Sequence, residues 1–115
     1  MQRKRSSGAA ALQDKAPVFA ALGERTRLGL IVRLGREGPL SIARLTEGTD
    51  VTRQAVAKHL RVLSGAGLAS GVRHGRERLW QLEAAPLEEA RRSLERIAER
   101  WDEALIRLKT TLEDE

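Results

Sequence analysis

No cysteine and no tyrosine occur in this chain of 115 residues, and its aromatic side chains are one Phe and two Trp. The first absence rules out disulfides, thiolate metal ligands and thiol nucleophiles, and it is compatible with a reducing compartment. Long apolar runs are also lacking. Nothing approaches the roughly 18 residues of a membrane-crossing helix, and the opening MQRKRSSGAAAL has no extended apolar core of a secretion signal. There is no glycine-rich phosphate loop and no nucleophile elbow, so an enzyme is the weakest reading. A soluble, cytoplasmic protein without a cofactor is expected.

Acid is scarce in one stretch. Residues 53–78 carry six Lys/Arg and one acidic residue, Glu77, whereas residues 79–115 carry six against ten and residues 1–52 nine against five. A basic field confined to the middle, followed by an acidic section, fits a polyanion-facing surface, although many domains merely have a charged face. At 115 residues the chain is one domain that buries roughly two-thirds of its unfolded surface, a small core that a partner chain would help.

Residues 1–13 are basic, then small and polar, and read as a disordered tail before a domain over residues 14–115, with Arg3, Lys4 and Arg5 as an alternative trailing arm. Asp14 is the expected N-cap of a helix over residues 15–22, with Pro17 in its first turn, Gly23 at its end and Val18, Phe19 and Leu22 on its apolar face. A second helix over residues 24–34 has Leu28, Ile31 and Val32 at helical spacing and is closed by Gly35 and Gly38. Pro39 and Leu40 form an extended link. Ser41 caps a short third helix bearing Ile42 and Leu45, which ends at Gly48, and residues 41–63 then read as helix, turn, helix.

The second helix of that pair, residues 52–64, is two-faced. At about 100° per residue, Thr52, Val56 and Leu63 fall beside Leu60 as a buried stripe, while Gln54, Lys58 and Arg61 fall on the opposite side. Thr52 is its N-cap, which leaves Arg53 and Gln54 at the helix start, where recognition helices meet base edges. Ala57 is small enough to let the backbone approach a groove. His59 sits on the boundary, either packed or donating to a phosphate. The alternative is an ordinary wet helix face.

Two extended runs follow over residues 68–82, joined at His74 and Gly75 by what reads as a type I′ turn. Val72, Trp80 and Leu82 are expected to face the core, and Arg73, His74, Arg76 and Arg78 to gather at the tip, reaching phosphates or a narrow minor groove or else protecting a sheet edge. The chain is thus mainly α with a small β-hairpin wing, a winged helix-turn-helix whose natural partner is double-stranded DNA.

From Pro86 to about residue 112 a single helix is expected, its start suited to Glu88 and Glu89. Leu87, Leu94, Ile97, Trp101, Leu105, Leu108 and Leu112 follow steps of 7, 3, 4, 4, 3 and 4, an apolar stripe roughly 40 Å long. A domain of this size cannot cover such a stripe alone. A C₂ homodimer through this helix and the first one, Phe19 included, is expected over intrachain packing.

The runs VFAALGERTRLGLIVRL and VTRQAVAKHLRVLSGAGLASGVRHGRERLWQL, with the closing amphipathic helix, resemble the ArsR/SmtB family of winged helix-turn-helix repressors over residues 18–112, and AVAKHLRVLSGAGL is the most specific part. The resemblance implies a dimer whose paired recognition helices enter successive major grooves of an imperfect palindrome, acting as a nucleoid-associated repressor. It also implies that Thr52, Arg53, Gln54, Lys58 and His59 contact the groove and its phosphates, with Ala57 where the family often has Ser. The metal-sensing members' ligands have no counterpart: residues 40–45 are LSIARL, and the closing helix has Asp102 and several Glu but no His. The resemblance is therefore to the cysteine-free branch, with no metal and with an effector that is organic, a partner protein, or absent. Trp101 either lines an effector pocket between subunits or packs in the dimer core. The rival function is a protein-interaction module that uses the last helix, with an incidental basic face.

Overall fold

The stretches read as helices owe their ends to local chemistry, and the computed structural model, which describes residues 9–114, shows how far that reading carries. In chain order the elements are α1 (Ala9–Gln13), α2 (Ala16–Leu22), α3 (Arg25–Glu37), α4 (Ile42–Thr46), α5 (Arg53–Gly65), β1 (Ala69–His74), β2 (Glu77–Leu82) and α6 (Ala84–Glu113). The expected basic arm lies outside the described residues, but residues 9–13 form a helix against α6 rather than a tail. Their alanine run has the highest helix propensity available and needs only that surface to rest on.

Asp14 does not cap α2. Its N-cap is Lys15, which makes no side-chain cap bond, and Pro17 sits in the first turn as expected. The Lys15 ammonium instead reaches across to the Glu89 carboxylate on α6. α3 passes straight through Gly35 and stops at Gly38. Its buried stripe is Leu30, Ile31 and Leu34, at steps of one and three, while Leu28 and Val32 lie about half exposed on the flank. Ser41 caps α4 by accepting the Arg44 N–H, and Gly48, at φ +74°, makes the tight turn that a Cβ would strain.

Leu60, Leu63 and Leu68 are completely buried, with Val56 and Leu45 beside them. They join α5 to α3, to α4 and to the base of the hairpin, which is what fixes the pose of α5 on the body. Leu60→Ala is expected to cost about 2–5 kcal/mol of unfolding free energy, because a helix pinned on several sides cannot collapse into the void. Urea denaturation at fixed protein concentration reads this directly, and a loss below about 1 kcal/mol would mean that α5 is not held by its apolar stripe.

The hairpin turn lies one residue later than expected. His74 pairs with Glu77, so the connecting residues are Gly75 and Arg76. Gly75 takes φ +64° and no non-glycine residue has positive φ among the described residues, the pattern of a turn with glycine first rather than the type I′ turn expected. Val72 pairs with Leu79 and is 41% exposed, so it does not face the core. Trp80 does, on the opposite face with Ala69 and Leu82. Leu40, expected only as a link, exchanges both backbone hydrogen bonds with Trp80 at 2.8 and 2.9 Å, an isolated antiparallel bridge to the wing.

Candidate nucleic-acid interface

α5 begins at Thr52, whose Oγ1 accepts the Ala55 N–H at 3.1 Å; Thr52 is exposed and does not join the buried stripe. That cap leaves Arg53 and Gln54 on the first exposed turn, and with Lys58 and Arg61 they form one open polar face with half-buried Ala57 among them. None of these four makes a hydrogen bond or ion pair among the described residues. Several basic side chains elsewhere do: Arg33 pairs with Glu37, Arg44 with Glu47, and Arg91 with Glu88 and Glu95.

His59 is turned from that face. Its Nδ1 lies 3.3 Å from Arg27 Nη1 and 3.8 Å from Glu24 Oε1. Arg27 in turn donates from Nε to the Ala21 carbonyl at 2.6 Å, and its backbone N–H is accepted by Glu24, the N-cap of α3. That N–H, with the charges of His59 and Arg27 nearby, holds the Glu24 carboxyl below its ordinary value. Sequence reasoning missed this node, which ties α2 and α3 to the recognition helix. A Glu three residues before an Arg at a helix start was its only trace.

On the wing, Arg73 stands directly opposite Arg78, and with Arg76 and Gly71 they line a hollow of about 240 Å³. Two like charges facing each other across an antiparallel pair are unfavourable until an anion lies between them. All three arginines are exposed and without an ion-pair partner among the described residues. His74 is exposed at the end of β1 and faces Glu77 rather than joining the arginines. The hairpin is tied to α6 where Glu83 accepts from the Ser70 hydroxyl and the Gln81 amide, which hold its carboxyl below the usual range, Ser70 most strongly.

α6 is 30 residues long and outreaches the body: the chain measures 68 × 42 × 20 Å with a radius of gyration of 19.1 Å, against about 13 Å for a compact chain of this length. The predicted stripe divides. Phe19 and Leu87 pack against the chain's own core, Ile97 is half-buried, and Leu94, Trp101 (70% exposed), Leu105, Leu108 and Leu112 are open. Trp101, Ala104, Leu105 and Leu108 line a shallow apolar hollow of about 290 Å³. Ile106, which the stripe omitted, is equally open.

Among the described residues no group of three His, Cys, Asp or Glu is placed to hold a metal ion, and no helix is long and apolar enough to cross a membrane.

Comparison with known proteins agrees with this geometry. The helix-turn-helix domain family matches residues 22–72. The HTH-type transcriptional regulator YuzN of Bacillus subtilis is 36% identical over 80 residues, covering 64% of this chain and 87% of its own. The HTH-type transcriptional regulator Rv2034 of Mycobacterium tuberculosis is 36% identical over 87 residues, covering 76% and 78%. The solved structure of an ArsR-like transcriptional regulator from Rhodococcus sp. RHA1 is 40% identical and superposes with a TM-score of 0.74, covering 85% of this chain and 92% of that one. All three are named as transcriptional regulators. With a capped recognition helix, a basic wing and relatives matched over most of their length, the chain belongs to the ArsR/SmtB family of winged helix-turn-helix transcriptional regulators.

Proposed function

We propose that this regulator is a homodimeric repressor that recognises an imperfect inverted repeat. The bare apolar face of α6 carries the reading, because Trp101, Leu105, Leu108 and Leu112 lie on a helix that projects past its own core. A second copy is the economical cover, and a two-fold axis makes the contact close on itself. Two α5 helices then enter successive major grooves, with Arg53 and Gln54 at base edges and Lys58 and Arg61 on phosphates, while Arg73, Arg76 and Arg78 of each wing take the flanking backbone. Thr52 and Ala57 line the approach. His59 and His74 contribute at the margin, since one is held by Arg27 and the other faces Glu77. Repression follows from occupancy alone: a dimer over a promoter in the nucleoid excludes polymerase. Any effector is non-metal in this reading, and Trp101 packs in the dimer core.

Selection of bound duplexes from a random pool tests symmetry and specificity together. Enrichment of an inverted repeat with half-site centres about 10 bp apart, or a multiple of that, is the expected result. Direct repeats, or no enrichment, would defeat the proposal. Once the site is known, Arg53→Ala or Gln54→Ala should cost about 1–3 kcal/mol and relax base preference at one position of each half-site. Arg76→Ala should weaken operator and random DNA by the same factor. Equal losses on both duplexes for all three variants would mean that the wing and the helix have been given the wrong roles.

A further inference from the structure

Gly71 stands opposite Trp80 in the hairpin, and Arg78, two residues before that tryptophan on β2, shares its face of the sheet. The Arg78 guanidinium carbon lies 4.9 Å from the centroid of the Trp80 ring, within cation–π range. Trp80 is itself buried, 7% exposed, and bonded through both backbone groups to Leu40. Gly71 is not among the glycines with positive φ, so its backbone is one that any residue adopts. The missing Cβ leaves space there, and the Arg78 side chain fills it. A methyl group on Gly71 would overlap Arg78 Nε and come within 2.8 Å of Nη2. The guanidinium therefore lies over a bare stretch of β1 beside the indole. It makes no hydrogen bond among the described residues, so its donors stay free for a ligand.

We propose that Gly71 and Trp80 form a seat that orders Arg78 before DNA arrives, making Gly71 a positioning residue of the wing and the phosphodiester backbone the ligand of the Arg78 fork. The inference rests on the DNA-binding reading above. Without the seat, Arg78 would swing away from Arg73, its like-charged cross-strand neighbour. The seat holds the two guanidiniums around one hollow, where a single phosphate can meet both.

The test is a double-mutant cycle of Gly71→Ala and Arg78→Ala in the full chain, read by binding to operator and random duplexes, with NMR of the Arg78 side chain in the free protein. Alanine suits an extended backbone at least as well as glycine, so the Gly71→Ala protein should melt no lower than the wild type. Its affinity should fall about 2- to 10-fold on both duplexes, the cost of ordering a long side chain at the moment of binding. In the Arg78→Ala background, Gly71→Ala should change nothing. The Arg78 side-chain protons should be shifted upfield by the Trp80 ring in the wild type and lose that shift in Gly71→Ala. The same loss in both backgrounds, or unshifted resonances in the wild type, overturns the seat. Shifted resonances in a wild-type protein that binds no duplex overturn the regulator reading, and the purpose of the seat with it.

Discussion

Glutamate at both Leu105 and Leu108 is expected to leave the protein monomeric and to weaken its binding to the paired half-sites by about 10²- to 10⁴-fold, the avidity that joining two modules supplies. Both leucines are more than half exposed and neither contributes to the buried core, so the double substitution removes no intrachain packing. The far-ultraviolet spectrum and the affinity for an isolated half-site should be unchanged. The effect arises because four carboxylates would be buried at a two-fold interface with no cationic partner assigned to them, a desolvation penalty that association cannot recover. Sedimentation shows the loss of the dimer, and titration against full and half operators shows the loss of avidity. A variant that still sediments as a dimer, or a wild type that binds full and half sites equally, would remove α6 from the assembly.

The sequence disclosed most where one local force acts alone. Thr52 and Ser41 cap α5 and α4 as read, and Gly48 takes the left-handed turn between them, because caps and glycine turns depend on a few neighbouring residues. The buried positions of α5 followed its period, since Val56, Leu60 and Leu63 had no rival stripe. α3 misled because two apolar sets compete around its axis, and the packing of α3 against β2 and α5, which is not local, selects Leu30, Ile31 and Leu34 over Leu28 and Val32. The turn of the wing slipped by one residue because glycine satisfies either central position of a two-residue turn, and the choice is made by pairing along the whole hairpin. That slip decided the local chemistry: it sets Arg73 against Arg78 and Gly71 against Trp80. The Glu24, Arg27 and His59 node was equally illegible, because its members lie on two helices that only the tertiary fold brings together.

Affinity for the operator is expected to fall by about 10³- to 10⁵-fold between 50 and 200 mM salt, the response to the release of counterions from about 6 to 10 neutralised phosphates. Each protomer offers Arg53, Lys58, Arg61, Arg73, Arg76 and Arg78, none of which has an ion-pair partner among the described residues. A dimer engaging most of them reaches that range. A basic side chain already paired with a carboxylate exchanges one partner for another and releases little, so Arg33, Arg44 and Arg91 should be silent in the titration. The slope of log affinity against log salt therefore counts the cations that meet phosphates. Lys58→Ala should lower its magnitude by about one unit for each protomer that loses a phosphate contact, and Arg33→Ala should leave it unaltered. Random duplex should show a slope close to that of the operator, since phosphate contacts carry no sequence information. A shallow slope, below about three, would mean that the wings do not reach the backbone. The Arg73 and Arg78 charges would then stay opposed in the complex as they are in the free protein, an arrangement whose electrostatic cost the bound DNA would not relieve.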